Sequence, residues 1–152
     1  MGAAYFYHLT QRPLVETLRM LLGKSLENGW RVAIRGVDDV GLAALDKALW
    51  LGPEDSFLPH GMAGQPNEAA QPILLTAQTS AANNANCVMS VHGAAVTAEE
   101  VAALQRVCVL FDGNDPAAVD VARGQWKALT DAGCSAQYWS EADGRWEKKA
   151  EK

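Results

Sequence analysis

Apolar residues along this chain follow two spacings, one typical of buried strands and the other of amphipathic helices. Short apolar runs between turn residues predict strands at 5–9, 30–34, 73–76, 87–91, 106–111 and 134–139. Helical spacing and N-terminal signals predict helices that begin at Pro13, at Asp38 or Asp39, at Thr97 and at Pro116. Because strands and helices alternate, the order predicts a three-layer α/β/α fold with a Rossmann-like, mostly parallel sheet.

The predicted helix ends carry residues that helix ends prefer. Asn28 followed by Gly29 ends the first helix, since glycine readily adopts the left-handed conformation found there. Thr97 and Glu100 have the spacing of a capping box. The last helix is predicted over 116–131.

The length of 152 residues suits one domain with a continuous core. We predict a single α/β domain over 1–146, followed by a charged tail, 147–152, that frays. Residues 61–72 are rich in glycine, proline, asparagine and glutamine, which predicts a loop with little regular structure.

Composition and charge narrow the class of protein. Apolar residues make up 49% of the chain and charged residues 20%, which is typical of globular proteins. A net charge of −5 argues against direct binding to duplex DNA, because phosphate contacts need a basic face, so we expect only indirect contact with DNA. No apolar run approaches the roughly 20 residues that span a bilayer, and no signal peptide is recognisable. We therefore expect a cytoplasmic protein without a membrane partner.

No residue spacing typical of an active site or a metal site occurs. Cys87, Cys108 and Cys134 lie far apart, which indicates neither zinc binding nor a disulfide framework. Cys108 and Cys134 are expected to be small core residues. The turn after the first strand, 9–13, contains no glycine, although a dinucleotide site needs glycines there for the pyrophosphate to approach the backbone. We expect no catalytic residue, no cofactor and no metal.

Two large aromatic residues, Trp50 and Phe57, flank the turn that follows the second helix. Connecting segments lie on the surface and usually carry polar residues. Either the two rings cover the core beneath a long loop, or they form an apolar patch for another protein. The pattern leaves both interpretations open. His60, in the same turn, is expected to hydrogen-bond locally rather than to act in catalysis.

Arg123, Trp126 and Lys127 lie close together on the last predicted helix, because residues three and four apart share a helix face. Two cations beside an indole predict a receptor for a short peptide that carries carboxylates and an aromatic ring. The alternative is a solvated helix face with Trp126 turned into the sheet.

Two patterns resemble those of the chi subunit of bacterial DNA polymerase III, an accessory protein of the clamp loader. The first is L-D-x-A-L-W followed by P-x-x-S-F-x-P-H and A-G, within 45–64; the second is A-R-x-x-aromatic-K-A at 122–128 with A-G at 132–133. The resemblance implies a Rossmann-like fold without nucleotide chemistry. It also implies a non-catalytic adaptor that binds the acidic C-terminal tail, ending in Pro-Phe, of the single-stranded-DNA-binding protein and, where present, the psi subunit.

The resemblance also implies roles for individual residues. Arg123, Trp126 and Lys127 become candidate contacts for the acidic tail, although Val119 and Thr130 are neutral where further cations would strengthen the patch. The candidate surface for psi, or for another clamp-loader or helicase partner, consists of Trp50, Leu51, Phe57 and Leu58. The alternative function is a small nucleotide-binding domain or enzyme on the same scaffold, since a fold does not dictate a function.

Overall fold

A computed structural model describes residues 2–51, 58–79, 82–142 and 145–152 of the chain. The strands in these ranges are β1 (Ala3–Leu9), β2 (Val32–Arg35), β3 (His60–Met62), β4 (Ile73–Thr76), β5 (Cys87–Ser90), β6 (Arg106–Asp112), β7 (Ser135–Ala142) and β8 (Arg145–Glu151). The helices are α1 (Leu14–Glu27), α2 (Asp39–Trp50), α3 (Ala98–Ala103) and α4 (Pro116–Asp131). A short 3-10 turn, Glu68–Ala70, precedes β4.

The strands of the described ranges form one sheet in the order β3-β4-β2-β5-β6-β1-β7-β8. Neighbouring strands run parallel except β7 and β8, which run antiparallel. β1 therefore lies well inside the sheet, between β6 and β7. Its register places Phe6 beside Val109 of β6 on one side and Tyr138 of β7 on the other.

Helices cover both faces of the sheet and bury two separate apolar clusters. On one face α1 and α2 contribute Leu18, Leu22 and Leu42, which pack against β2, β4 and the neighbouring strands. On the other face α3 and α4 pack, and α4 buries Ala122 and Leu129. Since alternate residues of a strand point to opposite faces, β1 supplies side chains to both clusters. This arrangement confirms the predicted three-layer α/β/α fold.

The helix ends follow the cap residues of the sequence. Asp38 accepts a hydrogen bond from the backbone N–H of Gly41 at 2.7 Å, and Asp115 accepts one from Ala117 at 3.0 Å. Gly133, just after α4, has φ of +89°, a left-handed conformation that favours glycine. α4 has the predicted bounds. No helix in the described ranges is long and apolar enough to cross a membrane.

Two of the three cysteines are fully buried. Cys87 and Cys108 lie in the cluster beneath α1 and α2, and the prediction of core packing is confirmed for Cys108. Cys134 is half-buried and lies one residue before β7, so it is not part of the strand that was predicted to contain it.

The predicted charged tail, 147–152, is not a frayed end, because almost all of it belongs to β8. β8 pairs with β7 from Ala142 opposite Arg145 to Gln137 opposite Glu151. The Trp146 ring also packs edge-on against Tyr7, with ring centroids 5.5 Å apart. Backbone pairing does not require apolar side chains, and edge strands often carry charges. The charged sequence therefore did not predict this strand. The predicted boundary after residue 146 falls inside β8.

The predicted loop 61–72 contains regular structure. His60–Met62 forms β3, which pairs with β4 at the far edge of the sheet. Glu68–Ala70 forms the 3-10 turn, where Glu68 accepts a hydrogen bond from the backbone N–H of Gly64 at 2.6 Å. A three-residue strand is too short to show an alternating pattern, and it forms here because β4 offers a free edge.

Candidate protein-binding surfaces

The α4 surface consists of Arg123, Trp126 and Lys127, with Tyr138 of β7 beneath them. Trp126 is half-buried and turned toward the sheet. Its ring stands edge-on to Phe6, with centroids 5.4 Å apart and planes 76° apart, and edge-on to Tyr138 at 5.9 Å and 84°. Such edge-to-face pairs are favourable because the positive ring edge meets a negative ring face. The indole therefore joins the apolar cluster and keeps only part of its surface accessible.

Arg123 is exposed and makes no ion pair with any residue in the described ranges. Burial raises the pKa of the Tyr138 hydroxyl, and the positive charge of Arg123 acts in the opposite direction, which leaves a net rise. Arg123 is thus close enough to act on the phenol electrostatically. The α4 surface thus combines a cation that has no ion-pair partner in the described ranges with the aromatic rings of Trp126 and Tyr138.

Two further residues of this surface were missed by the sequence reasoning. The Tyr138 hydroxyl lies 2.7 Å from Nδ1 of His8, 130 residues away in the chain. The two rings stand edge-on at 5.9 Å, and His8 also packs against Phe111 at 5.1 Å. Strand alternation could have placed His8 and Tyr138 on the face of α4, but only the pairing of β1 with β7 brings them together.

Lys127 is engaged within its own helix. Its Nζ lies 2.9 Å from the carboxylate of Asp131, one turn further on, and both side chains are exposed. Exposed pairs of this kind contribute only about 0.3–0.5 kcal/mol, so Lys127 can exchange this partner for another carboxylate. The neutral Thr130 donates its hydroxyl to the carbonyl of Trp126 at 2.8 Å, and Val119 packs into the cluster beneath α4.

The Trp50 surface consists of Trp50 and Leu51 at the end of α2. Trp50 is 52% exposed and Leu51 74% exposed. One face of the indole lies on the imidazole of His60, with ring centroids 4.1 Å apart and planes 32° apart. Leu58, predicted to line this surface, is instead buried in the core cluster beneath α1 and α2. Phe57 lies outside the described residues.

His60 supports the Trp50 ring from a buried position. Its Nδ1 lies 2.6 Å from the carbonyl oxygen of Leu58. Its Nε2 lies 3.2 Å from the carbonyl oxygen of Asp46 and 3.3 Å from the carboxylate of the same residue. The expectation that His60 hydrogen-bonds locally is confirmed, and the contacts fix the ring on which Trp50 rests.

The turn after β1 is the position that receives a phosphate in dinucleotide-binding folds. Here the backbone N–H groups of Thr10, Gln11 and Arg12 donate to Oε1 of Glu141 at 3.1, 3.4 and 3.3 Å. The Glu141 side chain is only 1% exposed. A buried carboxylate of the chain thus occupies the donors that a phosphate would need, which disfavours nucleotide binding at this turn.

Comparison with known proteins identifies relatives of the chain. Residues 1–137 match the protein family described as "DNA polymerase III chi subunit, HolC". A curated protein of Rickettsia prowazekii (strain Madrid E), the "Probable DNA polymerase III subunit chi", is 28% identical over 83 residues, which cover 55% of this chain and 50% of that protein. The chain thus spans about half the length of this curated relative.

Proposed function

The chain belongs to the DNA polymerase III chi subunit family, and on that basis we propose that it acts in DNA replication as a non-catalytic adaptor. The α4 surface binds the acidic C-terminal tail of the single-stranded-DNA-binding protein. The Trp50 surface attaches the chain to the clamp loader through psi or another partner, in the bacterial cytoplasm at the replication fork. Two attachments on one small protein raise the effective concentration of each partner near the other.

The position of Arg123 is the observation that carries the proposal. Its side chain is exposed and has no carboxylate partner in the described part of the chain, and its charge acts on the Tyr138 hydroxyl. A carboxylate of the tail would form charge-assisted hydrogen bonds with it. The ring of the terminal phenylalanine would pack on the accessible parts of Trp126 and Tyr138.

Lys127 is assigned a smaller share of the binding free energy than Arg123. To meet a tail carboxylate, Lys127 must leave Asp131, with which it pairs at 2.9 Å. The gain from the new pair is therefore partly offset by the loss of the old one.

On the second surface, Trp50 and Leu51 are the proposed anchors because they expose large apolar areas side by side. Aromatic anchors often dominate interfaces when they rest on a fixed support, and His60 supplies that support. Phe57 stays a predicted contact of this surface. Leu58 contributes from beneath, through the carbonyl that holds His60.

Titration calorimetry with a synthetic peptide tests the α4 surface. The peptide carries the acidic tail ending in Pro-Phe, and a second peptide lacks the final phenylalanine. We expect micromolar binding of the first, near −8 kcal/mol, and loss of binding of the second. Arg123→Ala should weaken binding by roughly 1–3 kcal/mol, the range for a hydrogen bond to a charged group, and Lys127→Ala by less.

The matched control is Lys47→Ala, which removes an exposed cation from α2 on the other face of the sheet. It should leave the affinity unchanged. Equal affinities for wild type, Arg123→Ala and Lys127→Ala would show that the tail does not bind at the α4 surface.

A further inference from the structure

A cavity, the α1 cavity, lies between the end of α1 and the sheet, on the face opposite α4. Its volume is about 250 Å³. The residues that line it include five aromatic rings, two methionines and two cations: Tyr5, Tyr7, Trp30, Trp139, Trp146, Met20, Met89, Lys24 and Arg106. None of its described lining residues carries a carboxylate. This local composition contrasts with the net charge of −5 of the whole chain.

Arg106 is one of the two cationic residues that line the α1 cavity. Its guanidinium lies 4.2 Å from the centre of the Tyr5 ring and 5.2 Å from that of Trp30. It forms no hydrogen bond or ion pair with the described residues, and its Nε is buried. Contact with two rings restrains the guanidinium without using its N–H donors. The guanidinium of Arg106 is therefore restrained by two rings, while its N–H donors have no acceptor among the described residues.

Trp146, which lines the same cavity, carries a second hydrogen-bond donor that lacks an acceptor among the described residues. Its indole Nε1 is buried and has no hydrogen-bond partner among the described residues. A buried donor without an acceptor is unfavourable, so an oxygen in the cavity that accepts from either side chain would be favoured. Lys24, exposed on the last turn of α1, places a further positive charge among the lining residues. Each of these groups donates hydrogen bonds or carries a positive charge, which favours a bound anion.

The apolar walls limit which anion can bind. Flat rings and flexible methionines line the cavity together with Arg106, and both favour contact with an aromatic ring. A cavity of about 150 Å³ accommodates benzene, so about 250 Å³ accommodates a single ring with a short carboxylate arm. We propose that the α1 cavity binds a carboxylate carried on one aromatic ring, either as a free aromatic acid or as the C-terminal residue of a peptide.

Nuclear magnetic resonance of the five indole N–H groups tests this site in the full chain. The probes are 3-phenylpropanoate and its neutral amide, which differ only in the charged group. We expect the signals of Trp30 and Trp146, assigned with Trp30→Phe and Trp146→Phe, to shift with the acid both in the wild type and in Arg123→Ala, in which the α4 surface is impaired. The acid should bind at least about tenfold more tightly than the amide, because only the acid offers a charged acceptor to Arg106.

Variants then link the binding to Arg106. Arg106→Gln should weaken binding of the acid about tenfold, and the matched control Lys47→Gln should leave it unchanged. If Arg106→Gln does not fold, the comparison of acid and amide in the wild type still tests the proposal. Equal binding of acid and amide, or no shift at Trp30 and Trp146, would overturn the proposal.

A peptide probe separates the two sources of the carboxylate. If Gly-Gly-Gly-Phe with a free C-terminus shifts the same signals as 3-phenylpropanoate, the cavity captures chain ends. If only 3-phenylpropanoate does so, the cavity takes a free acid. The use of Arg123→Ala keeps these results distinct from binding at the α4 surface, since the sheet separates the apolar cluster beneath α1 and α2 from the cluster beneath α4.

Discussion

At the scale of single residues, Glu141 supplies the hydrogen-bond acceptor for the backbone of the turn after β1. Its buried carboxylate accepts hydrogen bonds from three consecutive backbone N–H groups and lies 3.9 Å from Nε of Arg12. These contacts join the C-terminal end of β7 to the turn between β1 and α1. They also satisfy donors that would otherwise need water or a ligand.

We predict that Glu141→Gln lowers the free energy of unfolding by about 2 kcal/mol, because hydrogen bonds to a charged group contribute roughly 1.5–3 kcal/mol. Urea denaturation measures the change. The control is Glu147→Gln, since the one side-chain ion pair of Glu147 among the described residues is an exposed pair with Lys149. This substitution should lower the free energy of unfolding by less than about 0.5 kcal/mol. Equal losses in the two variants would contradict the assigned role of Glu141.

Glu100 is a second residue whose negative charge stabilises the folded protein. Burial alone would raise its pKa, but hydrogen bonds from Arg35, the charge of Arg35 and contacts with Thr97 outweigh burial and hold the pKa below its ordinary value of 4.5. Arg35 is 4% exposed on its side chain and donates to both carboxylate oxygens. Glu100 also completes the predicted capping box with Thr97.

A lowered pKa in the folded state has a defined consequence for stability. The stabilisation is fully present above the unfolded pKa, near 4.5, and is lost as the pH falls through the lower folded pKa. We predict that Glu100→Gln costs about 3 kcal/mol near pH 7, and that its difference from wild type shrinks below about pH 4.5. Urea denaturation across pH measures this, with the exposed neighbour variant Glu99→Gln as control. A difference that did not change with pH would contradict the prediction.

At the scale of elements, β8 extends the sheet beyond the predicted domain. Its backbone pairs with β7, and the N–H of Lys152 donates to the carbonyl of Ala136 at 2.9 Å. Most of its side chains are exposed, so the strand depends on backbone pairing and on the packing of Trp146.

We predict that the Lys152 amide exchanges its hydrogen at least about tenfold more slowly in the protein than in an isolated peptide of residues 145–152. The reason is the hydrogen bond to Ala136. Hydrogen exchange followed by magnetic resonance measures both rates. Equal exchange rates in the protein and the peptide would instead indicate a frayed tail.

At the scale of the whole molecule, the two proposed binding surfaces belong to different layers. α2, which carries Trp50, packs on one face of the sheet, and α4, which carries Arg123, packs on the other. Each surface rests on its own apolar cluster, so a partner on one need not disturb the other.

We therefore predict that Trp50→Ala changes the affinity for the acidic tail peptide by less than about twofold, as expected for sites without shared contacts. Titration calorimetry measures the affinity, and Arg123→Ala provides the comparison in which binding is weakened. A loss of affinity in Trp50→Ala similar to that in Arg123→Ala would mean that the two surfaces are coupled.

Much of the fold was predictable because its signals are local. Asp115 and Pro116 mark the start of α4 and Gly133 marks its end, each within two residues of the helix, and the observed bounds agree. β3 and β8 were missed because one is very short and the other is charged, and each forms through pairing with a distant strand. For the candidate sites, the sequence placed Arg123 and Trp126 together but could not show that Trp126 turns toward Phe6 and Tyr138.

The sequence by itself determined the alternation of strands and helices, the caps and the glycine-free first turn, because periodicity and capping act over about four residues or fewer. The tertiary structure alone decided which distant side chains meet. It joined His8 to Tyr138, placed Glu141 in the first turn and left Arg106 between Tyr5 and Trp30 without an acceptor in the described part of the chain. Such contacts depend on strand order and register, which are set by the packing of the whole chain rather than by neighbouring residues.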